Sequence, residues 1–226
     1  MQSEAELREK ILDIGRRMYA RKMIAANDGN ISVKLGEHEF LCTPTGVSKG
    51  FMTDEMLCRV DEKGKLLEAN GKYTPSSEIK MHMMVYEKRK DVKAVVHAHP
   101  IYSTIYACAG LPLEKPVLAE AVTYLGTVPL ARFGTPSTIE VPESIKDFLP
   151  DYDAVLLESH GALTYGADLE KAFYKMESVE FYAELLYKLE LRGEVRTFDK
   201  DTVEKLYDMR RAMDLPGRHP AVPRKE

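Results

Sequence analysis

The stretch Ala94-Val95-Val96-His97-Ala98-His99-Pro100 governs how the rest of the chain is read. Apolar and β-branched residues lead into two histidines and Pro100 closes the run, the pattern of a buried strand that ends at a functional rim. Side chains alternate faces along a strand, so His97 and His99 fall on one face as next-but-one neighbours. Two imidazoles side by side suggest a metal. A third candidate follows another apolar run: Asp153-Ala154-Val155-Leu156-Leu157-Glu158-Ser159 leads straight to His160 and Gly161. Gly161 lacks a side chain, which lets backbone or substrate come close. Glu78 offers an oxygen ligand, and a catalytic zinc commonly keeps one position open beside its protein ligands.

Upstream, Thr74-Pro75-Ser76-Ser77-Glu78 predicts a helix start. Thr74 suits the N-cap and Pro75 the first helical position, with the helix running to about Arg89. Ser76 and Ser77 would then stand at a helix N-terminus, where unsatisfied N–H groups and the dipole favour an anion. Glu78 and His82 lie four apart on one helix face, which gives His82 a packing or supporting role. Nearer the N-terminus, Ser3 and Glu6 form a capping box, and Leu7, Ile11, Ile14 and Met18 recur at helical spacing to about Lys22. Asn27-Asp28-Gly29-Asn30 reads as a turn, and 31–34 with 39–42 as a hairpin around Gly36. Thr43-Pro44-Thr45-Gly46 is a second turn, able to present N–H groups to an anion. Residues 53–60 read as a short helix capped by Thr53, and 58–65 as the entry to another hairpin.

Downstream, 101–109 reads as a helix ending at Gly110, and 117–125 with 127–133 as short strands and loops. Glu120 sits there between apolar neighbours, as a surface residue or an active-site acid. A short helix at 139–148 and a returning strand at 162–165 follow. Asp168 caps the longest helix, which continues towards Arg192, and 201–213 is the last helix. Residues 1–214 read as one domain and 215–226 as a tail, loose unless a neighbouring subunit pins it, with His219 simply part of it. Short antiparallel strand groups flanked by helices predict a layered α/β or α+β domain rather than a doubly wound sheet.

A chain of 226 residues holds a sizeable core, and its apolar and charged fractions, 44% and 30%, fit a soluble globular protein. A net charge of −4 argues against nucleic acid as a partner. Cys42, Cys58 and Cys108 are too few and too scattered for a disulfide framework or a cysteine zinc site, which predicts a reducing compartment. No apolar run reaches the roughly 18 to 20 residues that span a bilayer, so a soluble, cytoplasmic protein without membrane contact is expected.

Taken together, Gly29-Asn30-Ile31-Ser32, Thr45-Gly46, Ser76-Ser77-Glu78, His97-Ala98-His99 and His160-Gly161 resemble, in order and spacing, the class II aldolase and adducin-head family, in particular its L-fuculose-1-phosphate aldolases. The likeness covers about residues 5 to 190. It implies an α/β fold built as a three-layer α/β/α sandwich around a mostly antiparallel sheet, and a homotetramer with active sites at subunit interfaces. It matches His97, His99 and His160 to the ligands of one zinc per subunit, and Glu78 to a catalytic acid/base that also touches the metal. Gly29, Asn30, Thr45, Gly46, Ser76 and Ser77 match the cradle for a substrate phosphate. The implied reaction is cleavage of a ketose 1-phosphate, L-fuculose 1-phosphate or a 5-deoxypentulose 1-phosphate, to dihydroxyacetone phosphate and an aldehyde. The family's tyrosine for the departing aldehyde, lent by a neighbouring subunit, has its place near Leu118, which leaves Glu120 and Tyr124 as candidates for that role. Methylthioribulose-1-phosphate dehydratases and ribulose-5-phosphate 4-epimerases are similar on the same scaffold. The dehydratases lack the Ser-Ser-Glu pattern and the epimerases carry an aspartate where Glu78 stands. Non-catalytic adducin heads resemble the scaffold without its histidines.

Overall fold

The structure, a computed structural model, describes residues 2–68 and 70–222. Seven strands form one sheet: β1 (Asn30–Lys34), β2 (Phe40–Cys42), β3 (Cys58–Val60), β4 (Ala94–Ala98), β5 (Leu130–Ala131), β6 (Ala154–Leu157) and β7 (Gly161–Gly166). Their spatial order is β3-β2-β1-β4-β7-β6-β5, antiparallel throughout except for the β5–β6 pair. The helices are α1 (Glu4–Ala20), α2 (Ile79–Lys88), α3 (Ile101–Cys108), α4 (Glu140–Ile145), α5 (Leu169–Leu191) and α6 (Lys200–Ala212). Among the described residues, no helix is long and apolar enough to cross a membrane.

The period-two alternation of β4 divides the core. Ala94, Val96 and Ala98 pack with α1, α3 and α5 on one face of the sheet. Val95 points the other way, into a cluster with Ile79, Met83 and Tyr86 of α2 and Val141 and Ile145 of α4. The expected layered α/β architecture is therefore present, with helices on both faces of a mixed sheet. His97 follows Val95 onto the α2 side, which is why a helix bearing Glu78 at its entry can reach it. In register, Asn30 stands opposite His97 across β1–β4, and His97 opposite Leu163 across β4–β7.

The long helices begin where their caps are. The Ser3 and Glu6 capping box opens α1, and the Asp168 carboxylate accepts the Lys171 N–H to open α5. Four expectations need correction. The helix predicted from Pro75 begins at Ile79, because Pro44 and Pro75 form an isolated antiparallel bridge and Ser76 donates its N–H to the Thr43 carbonyl. A segment tied into a strand-like pairing cannot also wind as a first helical turn. The helix expected at 53–60 is a single 3₁₀ turn, Asp54–Met56, followed by β3, with another 3₁₀ turn, Lys49–Phe51, just before it. Residues 117–133 hold a π-helical turn, Ala121–Leu125, and only the two-residue β5.

The tail expected to be loose is packed as far as it is described. His219 is buried and donates from Nε2 to the Val122 carbonyl at 2.7 Å, while Arg218 donates its N–H to Asp153. The end of that tail, residues 223–226, lies outside the described residues.

Candidate active site

His97 ends its strand with a fully buried ring whose Nδ1–H donates to the Ala162 carbonyl at 2.9 Å. That bond fixes the tautomer and leaves the Nε2 lone pair aimed out of the sheet. His99 brings its Nε2 to 3.0 Å from the His97 Nε2. His160 arrives from the β6–β7 turn, where Ser159 takes a left-handed φ of 55° and swings the chain back. Gly161 is required there: a Cβ would lie 2.4 Å from the Ala98 carbonyl oxygen and 2.6 Å from the His99 ring. The three rings pack edge to face with centroids 4.7 to 4.9 Å apart. One ring nitrogen from each lies within 4.8 Å of the others.

Glu78 closes the cluster from the entry of α2. Its Oε2 lies 3.3 Å from the His97 Nε2 and its Oε1 3.2 Å from the His160 Nε2. Burial pushes this carboxyl's pKa up, but the facing His97 and His160 rings outweigh it and hold the group well below the usual carboxylate range. Burial first, then the neighbouring His97 and His160 charges, lower His99 to about 4 against the pull of Asp28 and Glu78. Three convergent imidazoles form a group that could hold a metal ion, with the Glu78 carboxylate beside them. The buried Asn30 Oδ1 and Glu78 Oε1 have no hydrogen-bond partner among the described residues, as groups kept for a ligand would be.

The second half of the site is the corner where 43–46 meets 74–77. Thr45 donates its N–H to the Thr74 carbonyl and Ser76 its own to Thr43, so these two backbone donors are already used. The hydroxyls of Thr45, Ser76 and Ser77 line the corner, Ser76 Oγ accepting the Glu78 N–H at 3.3 Å and Ser77 Oγ the Ser137 hydroxyl at 2.8 Å, beside the open turn at Gly46, whose φ is 68°. The amide of Asn30 turns to Glu78, donating from Nδ2 to Oε2 at 2.9 Å, so Asn30 is tied to the carboxylate beside the histidines. Gly29, with a φ of 71°, lets this loop lie against the His97 carbonyl, which a Cβ would approach to 2.9 Å.

Glu120 and Tyr124 are not brought to this cluster by their own chain. They border a surface hollow with Arg21, Leu118, Tyr174 and Phe181, of which Tyr124 and Phe181 are half-exposed. His82 has the supporting place expected of it, with Nδ1 2.7 Å from the Ser32 hydroxyl, and burial lowers its pKa to about 3.

Sequence reading passed over three residues. Asp28 places Oδ2 3.3 Å from the His99 Nδ1. Lys49 is buried and donates to the Asn27 and Val47 carbonyls at 2.6 and 2.9 Å. Glu180 of α5 accepts the N–H groups of Tyr102 and Ser103, capping the helix that begins just after His99. The Asn-Asp-Gly-Asn turn signal could have flagged Asp28. A lone lysine and a mid-helix glutamate carry no comparable local pattern.

Residues 9–187 match the model of the Class II Aldolase and Adducin N-terminal domain family. The chain is 32% identical over 178 residues to an L-fuculose phosphate aldolase of Methanococcus maripaludis, across 79% of this chain and 94% of that one. It is 29% identical over 210 residues to a 3-oxo-tetronate 4-phosphate decarboxylase of Pectobacterium atrosepticum, across 91% and 94%. Of solved structures, YgbL of Klebsiella pneumoniae, described as an aldolase, epimerase or decarboxylase, superposes with a TM-score of 0.84 at 30% identity, over 91% of this chain and all of that one. On these matches, and with three histidines grouped where a metal could be held, the chain belongs to the class II aldolase and adducin N-terminal domain family.

Proposed function

We propose that the chain is a zinc-dependent aldolase that cleaves a short ketose 1-phosphate between C3 and C4, releasing dihydroxyacetone phosphate and an aldehyde. The observation that carries this reading is Glu78, a buried carboxylate set between two of three convergent histidines. His97, His99 and His160 would hold the zinc, with Glu78 within reach as a further ligand. Bound there, zinc supplies Lewis-acid stabilisation of the negative charge that develops on the substrate, worth several kcal/mol. Thr45, Gly46, Ser76 and Ser77 bind the phosphate, Gly29 shapes the loop beside it, and Asn30 orients Glu78, so that the reacting bond is held over the cluster.

Glu78 is ionised at rest. In the condensing direction it takes a proton from C3 of dihydroxyacetone phosphate; in cleavage the C3–C4 electron pair passes to C3, and Glu78 delivers to C3 a proton that it has first taken up from solvent. The C4 hydroxyl loses its proton as the aldehyde forms. Glu120 or Tyr124 of a neighbouring copy would take it, which fits their exposed place away from their own chain's histidines and a homotetramer with shared sites.

The 3-oxo-tetronate 4-phosphate decarboxylase relative favours a second reading. Loss of carbon dioxide from such a 3-oxo acid leaves the same three-carbon carbanion, so only the leaving group differs. A coupled assay for dihydroxyacetone phosphate separates the two, with L-fuculose 1-phosphate, 5-deoxyribulose 1-phosphate and 3-oxo-tetronate 4-phosphate as substrates. Aldolase chemistry predicts release from the sugars that a chelator removes and that Glu78→Gln lowers about a hundred- to ten-thousand-fold. Release from the 3-oxo acid alone would establish the decarboxylase instead.

A further inference from the structure

Asp28 stands outside the metal cluster, yet its carboxylate reaches one of the three rings. The His99 Nε2 faces the His97 Nε2 across the centre at 3.0 Å, so Nδ1 is the nitrogen left for an outer partner, and Asp28 Oδ2 lies 3.3 Å from it. His97 also has an outer partner, the Ala162 carbonyl, hydrogen-bonded at 2.9 Å, whereas Asp28 stands at ion-pair distance from His99. The two partners differ in charge: a carbonyl fixes a tautomer, whereas a carboxylate also makes the ring a stronger electron donor.

The loop that carries Asp28 is held from below. Lys49, buried under it, donates to the Asn27 carbonyl on one side and to the Val47 carbonyl on the other. Asp28 and Glu78 are the acidic groups whose charges act on Lys49. Gly29 adds a close backbone contact with the His97 carbonyl. The Asp28 carboxylate is thus placed by a built loop, although its side chain is 42% exposed.

We infer that Asp28 is a positioning residue of this centre, holding His99 in the Nδ1–H tautomer and raising the affinity of its Nε2 for the metal. The inference rests on the zinc reading of the site and goes beyond it, since Asp28 is neither a ligand nor a member of the phosphate corner.

The test is zinc affinity, measured by competition with a chromophoric chelator on the full chain, for wild type, Asp28→Asn and Asp28→Glu. Removing an outer carboxylate of this kind typically weakens metal binding about 10- to 100-fold. Asp28→Asn keeps the shape and loses the charge, so it is expected to weaken zinc by about that factor, while Asp28→Glu recovers part of it. The cobalt-substituted variants should show a shifted visible absorption for Asp28→Asn, which a merely structural role would not produce. Zinc affinity within twofold of wild type together with an unchanged cobalt spectrum would overturn the role of Asp28 and leave the metal centre standing. A wild-type chain that takes up no stoichiometric zinc would overturn both.

Discussion

Of the polar clusters buried among the described residues, two are finished differently. One surrounds Arg89, whose side chain is 3% exposed. Its Nε donates to Asp91, its Nη1 to the carbonyls of Leu149 and Tyr152, and its Nη2 to Asp91 and Asp153. Asp153 in turn accepts from Lys175 and from the Arg218 N–H. The guanidinium's donors are all used, and charge is balanced within the cluster. The other cluster is Glu78 with His97, His99 and His160, where ring nitrogens face one another and Glu78 Oε1 and Asn30 Oδ1 lack hydrogen-bond partners among the described residues. A saturated cluster ties elements together. An unsaturated one, with lone pairs converging on a point, is built for something that arrives.

The first way to break this contrast is Arg89→Met. Arg89 is the cation shared by Asp91 and Asp153, and Lys175 alone is left to face Asp153; removing one member of a buried pair typically costs about 3–5 kcal/mol. Urea denaturation should show that loss, while zinc stoichiometry per folded chain stays that of wild type. His160→Ala is the mirror image. It removes one of three imidazoles, so zinc uptake is expected to fail and turnover to drop about a hundred- to thousandfold, some 3–4 kcal/mol in transition-state stabilisation. The thermal midpoint of the metal-free protein should fall far less than in Arg89→Met, since Glu78 keeps Asn30 and His97 as neighbours when the His160 ring is gone. An Arg89→Met chain as stable as wild type, or a His160→Ala chain that unfolds, would erase the distinction between the two clusters.

The unsaturated cluster was legible because its members lie at strand ends. Period-two alternation put His97 and His99 on one face, and a glycine directly after His160 marked a close approach that proves to be against Ala98 and His99. The layered fold was legible for the same reason, from short apolar strands and capped helices. The Arg89 cluster was not, because its members lie far apart in sequence and each looks like an ordinary surface charge. Nor was the start of α2: Thr74 and Pro75 carry strong helix-start chemistry, but pairing with 43–45 satisfies the same backbone groups in another way. The tail failed for a related reason. Its Leu-Pro-Gly-Arg-His-Pro sequence has no periodicity, and its anchors are single polar contacts made across the chain.

Those contacts give the smallest of the expected effects and the sharpest test of the tail. The His219 Nε2–H donates to the Val122 carbonyl, and Nδ1 accepts the Ala221 N–H at 3.2 Å, so both nitrogens are committed to the neutral ring. A second proton would have to enter on Nδ1, against an N–H. Burial, reinforced by the Arg210 and Arg211 charges and opposed by the Val122 hydrogen bond and Asp153, lowers His219 from 6.5 to about 4. The unfolded chain therefore binds a proton between these values that the folded chain refuses. Stability from this group is fully present above about pH 6.5 and is lost as pH falls towards 4. His82, lowered to about 3, and His99, at about 4 in the metal-free protein, add to the same acid limb. In His219→Gln, which keeps a donor for Val122, the slope of unfolding free energy against pH between 6 and 4.5 should fall by about one proton, roughly 1.4 kcal/mol per pH unit. The slope, unlike the absolute stability, is insensitive to any packing lost in the substitution. If it stays at the wild-type value, the tail does not hold His219 neutral and buried in solution. The finished kind of polar contact would then end at the Arg89 cluster rather than extend along the C-terminus.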